Sequence, residues 1–331
     1  MVAPKLKKGD KIAVFSPSSP ATKTAKDRYE RGKAFLKSKG FDICEGSLTG
    51  KSDFYRSGSI KERADELNQL IHNKNIKCIM SSIGGMNSNS ILPYIDYEYL
   101  KKHPKIIIGY SDVTAILLAI YEKTGLTTYY GSALVASFGE FEPFVSETFS
   151  YFYDIVSEGT LPHILPTPKF WTDEFINWNT QDRGKKQYEN KLITINGGQV
   201  TGRLIGGNLN TMQGFWNTEY FPKIKKGDIL FIEDSLKDCS TIERSFSLLK
   251  LSGIFDKIGG LILSKHELFD DMKTGRKPYE ILLEVMGKVD FPVLAQFDCA
   301  HTHPMLTLPI GVNASLDANK QQVTLIDNFI D

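Results

Sequence analysis

A serine becomes a nucleophile when a base takes its proton, and that base needs a carboxylate to fix its tautomer and stabilise its cation. The 331-residue sequence places these three residue types where apolar runs end. Ser111 follows Ile106, Ile107 and Ile108 in KIIIGYSDVTAILLAIYEKTG; Glu233 and Asp234 follow DILFI; His301 and His303 follow PVLAQF. A fourth ending is IGGMN, residues 83–87. In open α/β sheets, ligands bind beyond the carboxyl ends of the strands, so these endings are where a site is expected. The chemistry they could share is acyl transfer through an activated serine.

Around Ser111 the pattern is a buried strand, a sharp turn and a helix whose apolar residues recur at helical spacing over 113–120. It is similar to the nucleophile elbow G-x-S-x-G, with Gly109 present and Val113 in place of the second glycine. Unpaired amides at a helix start can hold an oxyanion, and the amide of Asp112 is the obvious donor. The alternative is that Ser111 simply caps the helix. Gly84 and Gly85 read either as a tight turn or as the second oxyanion donor, through an unobstructed amide.

Several partners stay open from the residues alone. Among the six histidines, His72, His103 and His163 sit in unremarkable turns, whereas His266 ends another strand and rivals His301 and His303 as the base. Glu233 and Asp234 are equally ambiguous, because alternation along a strand lets only one of them face the site. Cys299, His301 and His303 form C-x-H-x-H, which is not a common zinc spacing and lacks a fourth ligand, so no metal is expected. GRLIGGNLNT lacks the Lys-Ser/Thr ending of a phosphate loop. Trp171 and Trp178 read as core aromatics or, in their polar surroundings, as stacking surfaces for a base.

The elements that must position these residues alternate. IAVFS, a helix through 34–39, CIMSSI, SIKERADELNQLIHNK and IIIG with its helix give βαβ architecture and a parallel sheet. Ser59 and Glu62 form a capping box. Residues 170–191, FWTDEFINWNTQDRGKKQYENK, are polar and aperiodic and read as a long connection or lid. LITI, DILFIE, GLILS and PVLAQF then mark a second α/β unit. The expected division is 1–140 with the nucleophile, 141–191 as connection and substrate loop, and 192–331 with the acid and base.

Composition narrows the partner. Forty basic against 39 acidic residues leave a net charge of +1, with no like-charge block suited to nucleic acid. Four scattered cysteines give no disulfide framework or zinc ribbon. The first apolar run, at 12–15, is too short for a signal core, and no run nears the roughly 20 residues needed to cross a bilayer. A cytoplasmic protein acting on a small molecule is expected.

The segments GDKIAVFSPSSP, SSIGGMNSNSILPYIDY, IIIGYSDVTAILLAIY, GRLIGGNLNTMQGFW, GDILFIEDSLKDCSTIERSF and HTHPMLTLPIG, in this order, span nearly the whole chain. Together they resemble the serine peptidases that include LD-carboxypeptidases and, more closely, the microcin C self-immunity peptidases. The resemblance implies a triad of Ser111, Glu233 and His301, with an oxyanion hole from Gly85 and Asp112. It also implies a flavodoxin-like or class I amidotransferase-like N-terminal layer, a C-terminal α/β domain with barrel-like character, a homodimer and no cofactor. IGGMN stands where LD-carboxypeptidases usually carry an Arg-Gly-Gly-Tyr-Gly type loop. The implied substrate is therefore an acyl or peptidyl adenylate joined through an amide, with Trp178 on adenine and Asn210 and Lys237 at the linkage. Murein tetrapeptide hydrolysis is the alternative, and a non-catalytic small-molecule binder the alternative of another class.

Overall fold

The computed structural model describes residues 1–331. Its first sheet runs Asp42–Glu45, Lys11–Phe15, Ile76–Ser81, Ile106–Gly109 and Tyr129–Tyr130 side by side, all parallel. In chain order this is 2-1-3-4-5, the flavodoxin-like arrangement. Leu308–Pro309 adds to its edge antiparallel, so the C-terminal part of the chain completes the N-terminal sheet. The helix Ile60–His72 starts on the capping box of Ser59 and Glu62. The first long helix is Lys26–Ser38, which starts earlier than the apolar spacing indicates because its opening turns carry charged residues.

The second sheet has eight strands. Gln199–Asn208, Ile229–Ser235, Gly260–Glu267 and Val293–Phe297 form a parallel centre. Antiparallel strands flank it: Asn313–Asp317, Gln322–Leu325 and His163–Ile164 on one side, and Ile193–Asn196 on the other. The barrel-like character expected for this part takes the form of an open sheet. Its outer strands, His163–Ile164 and Ile193–Asn196, do not pair with each other.

One continuous apolar core of 86 buried residues runs through both sheets, which fixes their carboxyl ends relative to each other. GRLIGGNLNT is part of this packing rather than a phosphate loop. It is the end of strand Gln199–Asn208 and the start of helix Leu209–Gln213. A Cβ on Gly206 would lie 1.8 Å from the Phe231 carbonyl oxygen, and one on Gly207 would lie 2.5 Å from Thr114 Cγ2. Only glycine lets this strand meet both its neighbour and the buried helix Thr114–Thr124. Residues 170–191 are less loose than their composition implies: Phe170–Trp171 pairs with Tyr188–Glu189, and Gln181 and Lys185 in between are buried.

Candidate active site

The carboxyl ends of both parallel centres open into one cavity of about 430 Å³. Ser111, His301, Gly84, Gly85, Trp178, Asn210 and Lys237 all border it. Ser111 leaves strand Ile106–Gly109 with φ +62°, a left-handed conformation that a serine adopts at a cost, and the 3-10 turn Ser111–Val113 leads into helix Thr114–Thr124. A Cβ on Gly109 would lie 2.5 Å from Ser81 Oγ and 2.8 Å from Val113 Cγ1. The first glycine of the elbow is thus required by close approach, while Val113, in place of the second, supplies part of that packing.

Gly84 abuts the serine. A Cβ there would lie 2.7 Å from Ser111 Cβ and 3.0 Å from the Asp112 amide nitrogen. Gly85 has φ +149° and stands against Ser18, whose Oγ would be 2.2 Å from an added Cβ. The Asp112 side chain turns away, accepting hydrogen bonds from the amides of Asn87 and Ser88, each at 2.9 Å. It therefore ties the IGGMN loop to the serine turn.

Glu233 is fully buried and holds His301 Nδ1 at 2.7 Å through Oε2. An ionised carboxylate only accepts, so the imidazole proton lies on Nδ1 and the Nε2 lone pair is left available. The other oxygen, Oε1, accepts from Tyr130 Oη at 2.5 Å and from Asn208 Nδ2 at 2.9 Å. Tyr130 Oη in turn accepts from the Ser111 amide at 3.2 Å. Burial works against ionisation of Glu233, but the charge and hydrogen bond of His301 outweigh it and hold the carboxyl below its usual range. Burial likewise works against a charged His301, and Glu233 outweighs it, so the imidazole lies above its usual value.

The other candidates fall elsewhere. His266 does not border the cavity; its Nδ1 lies 3.2 Å from the Ser264 carbonyl oxygen, and burial pushes it down to about 4. His303 borders the cavity but lies 3.8 Å from Glu140, and burial with the nearby Lys185 pushes it well below its usual value. Cys299 turns its thiol toward the carbonyls of Tyr130 and Leu306. The expectation that only one of Glu233 and Asp234 can face the site does not hold. Glu233 meets His301 at the strand end while the next residue, Asp234, borders the cavity. Asp234 accepts from the Asn210 amide at 3.2 Å and lies 3.8 Å from Lys237 Nζ; burial and the charge of Glu233 push it up to about 6. Trp178 is half-buried, with Arg28 Cζ 4.9 Å from its ring centre, whereas Trp171 lies outside the cavity under Lys265 Nζ at 5.3 Å.

Residues 12–131 match the LD-carboxypeptidase N-terminal domain and residues 201–316 match the C-terminal domain. The chain belongs to the LD-carboxypeptidase family. It is a family of serine peptidases. The chain is 52% identical to the microcin C7 self-immunity protein MccF of Escherichia coli over 335 residues, covering 100% of this chain and 97% of that one. The apo structure of MccF superposes with a TM-score of 0.98 over 100% of both chains. An MccF-like protein of Bacillus anthracis, 29% identical, superposes at 0.88 over 98% of this chain and 99% of its own. MccF structures include complexes with aspartyl sulfamoyl adenosine and glutamyl sulfamoyl guanosine, and a Trp-to-Phe variant with adenosine monophosphate.

Tyr130 and Asn208 were not among the residues singled out from sequence. Tyr130 lies in a two-residue strand with no periodic signal, and its partner Glu233 is 103 positions away.

Proposed function

We propose that the chain is a serine hydrolase that cleaves the amide between an aspartyl or peptidyl acyl group and a nucleotide, giving immunity to or detoxification of microcin C-like adenylates. His301 Nε2 takes the proton of Ser111 Oγ, which attacks the acyl carbonyl carbon. The amides of Gly85 and Asp112 hold the oxyanion. The proton passes from His301 to the leaving nitrogen, the nucleotide departs, and a water activated by the same imidazole releases the acyl group from Ser111. Glu233 keeps His301 in the tautomer this requires and stabilises its cation. Trp178 stacks on the base, while Asn210 and Lys237 contact the linkage.

The observation that carries this reading is the composition of one cavity: Ser111 and His301 share it with Trp178, Asn210 and Lys237. An MccF structure described as an active-site mutant replaces a serine, an asparagine and a lysine, the last two separated as Asn210 and Lys237 are here. We place the enzyme in the cytoplasm as a homodimer, which light scattering would show as twice the 37.2 kDa chain mass.

The test is incubation with an aspartyl-adenylate amide analogue and with murein tetrapeptide, followed by mass spectrometry. The analogue should be hydrolysed and the tetrapeptide left intact, with Ser111→Ala abolishing turnover and leaving stability nearly unchanged, because neither the turn nor the helix that follows it has a side-chain cap to lose. Efficient turnover of the tetrapeptide alone would move the assignment to murein recycling.

A further inference from the structure

Lys185 is a loosely paired cation at the edge of the catalytic cavity, sharing the carboxylate of Glu140 with Arg28. It lies between the short strands Phe170–Trp171 and Tyr188–Glu189, is only 8% exposed, and borders the same cavity as Ser111. Its nearest carboxylate oxygen is Glu140 Oε2, at 3.6 Å, beyond hydrogen-bond reach. That carboxylate is already satisfied. Oε2 accepts from Arg28 Nη2 at 2.8 Å; Oε1 accepts from the Phe141 amide at 2.8 Å and from Gln181 Nε2.

The local charge does not balance. Arg28 and Lys185 face the single ionised carboxylate of Glu140, with His303 held neutral beside them. Burial, reinforced by Arg28, draws Lys185 below its usual value despite Glu140. Glu267 borders the same cavity, but burial shifts it toward its protonated form, which weakens its competition for the ammonium. A buried ammonium held only by a long, shared ion pair is poorly compensated, and an anion arriving in the cavity would compensate it.

We infer that Lys185 is a second anion-recognition point of the cavity, taking an oxyanion of the substrate that Lys237 does not hold. The inference rests on the acyl-nucleotide reading above. Two groups of such a substrate carry the required chemistry: the side-chain carboxylate of an acidic acyl residue, and the phosphoryl group of the nucleotide. The acyl groups in the two MccF complexes, aspartyl and glutamyl, both carry such a carboxylate.

The experiment measures binding by calorimetry in the Ser111→Ala background, with and without Lys185→Met, and with Lys185→Arg to keep the charge. The probes are aspartyl sulfamoyl adenosine, asparaginyl sulfamoyl adenosine and adenosine monophosphate. A carboxylate site predicts that Lys185→Met weakens the aspartyl probe by about ten- to a hundredfold, leaves the other two unchanged, and is largely rescued by Lys185→Arg. A phosphoryl site predicts the loss on adenosine monophosphate, with the two sulfamoyl probes affected alike.

Either pattern should come with a melting temperature for Lys185→Met equal to or above that of the parent, because the excess buried cation is removed while Glu140 keeps its closer pair with Arg28. A lowered melting temperature with unchanged affinity for every probe would assign Lys185 to the fold and overturn the inference. Unchanged affinity with wild-type stability would overturn it equally. If the parent binds none of the probes, the acyl-nucleotide reading falls and takes this inference with it; tight parental binding that Lys185→Met does not alter sinks the inference alone.

Discussion

Two buried carboxylates each stand behind a histidine that borders this cavity, and they treat it in opposite ways. Glu233 meets His301 at 2.7 Å, and its other partners are the neutral donors Tyr130 and Asn208. Glu140 lies 3.8 Å from His303 and is held by the cation Arg28 at 2.8 Å, with Lys185 close by. Burial works against both carboxylates; the cationic surroundings of Glu140 hold it at about 2. A carboxylate lacking a fixed cation lends its charge to the imidazole beside it, and His301 rises. Beside Glu140, burial and the charge of Lys185, with Arg28 behind them, outweigh the carboxylate's pull, and His303 falls. Two histidines separated by one residue are thereby suited to different work, and the difference lies in what sits behind each carboxylate.

The largest expected effect breaks this contrast at its centre. His301→Ala should lower kcat/KM by roughly 10⁴-fold or more, because triad members act as a unit, while His303→Ala should cost about tenfold or less. In the wild type, His301 must be neutral to accept the proton. Activity should therefore fall as pH drops through a value above 6.5, the side on which Glu233 places it. Steady-state kinetics of both variants with pH profiles check this, and the reverse ranking would assign the base to the other pair.

Next comes Glu140. Replacing it with alanine leaves Arg28 and Lys185 buried without their carboxylate, which should cost about 3–5 kcal/mol in urea unfolding. Its folded value lies below its unfolded one, so its contribution to stability is present above pH 4.5 and is lost as pH falls toward about 2. A change near zero would mean that the cationic side is not what separates the two carboxylates.

The two smaller effects sharpen the comparison. Trp178 rests on Arg28, so the Glu140 cluster also supports the proposed base-stacking surface. Trp178→Ala should weaken handling of adenylated substrates by about ten- to a hundredfold and spare a substrate that lacks the base. Equal losses on both substrates would remove the stacking role. Tyr130→Phe deletes the hydroxyl shared by the Ser111 amide and Glu233, and should lower kcat about tenfold with little change in KM. Unchanged kcat would show that this bridge does not position the serine turn.

Much of the fold was legible because its signals are local. The isoleucine run of Ile106–Gly109, the capping box of Ser59 and Glu62, and the apolar strand centres each depend on near neighbours. What sequence spacing missed depends on distant pairing. Tyr130 acquires its meaning from Glu233, and Arg28 from Glu140, 112 positions along. That Glu233 and Asp234 both lie near the site depends on His301 and on the cavity lining, which strand alternation alone does not show. Lys185 lies in a stretch that reads as a polar loop, and its burial follows from packing against residues far away in sequence.

The central claim is that Ser111 is the nucleophile and that the Glu233–His301 pair activates it. Labelling with a serine-directed phosphonate, followed by peptide mapping, tests it most directly. The account predicts one adduct, on Ser111 Oγ, formed in the wild type and in His303→Ala and nearly absent in His301→Ala. An adduct on another serine, or equal labelling of Ser111 with and without His301, would contradict it.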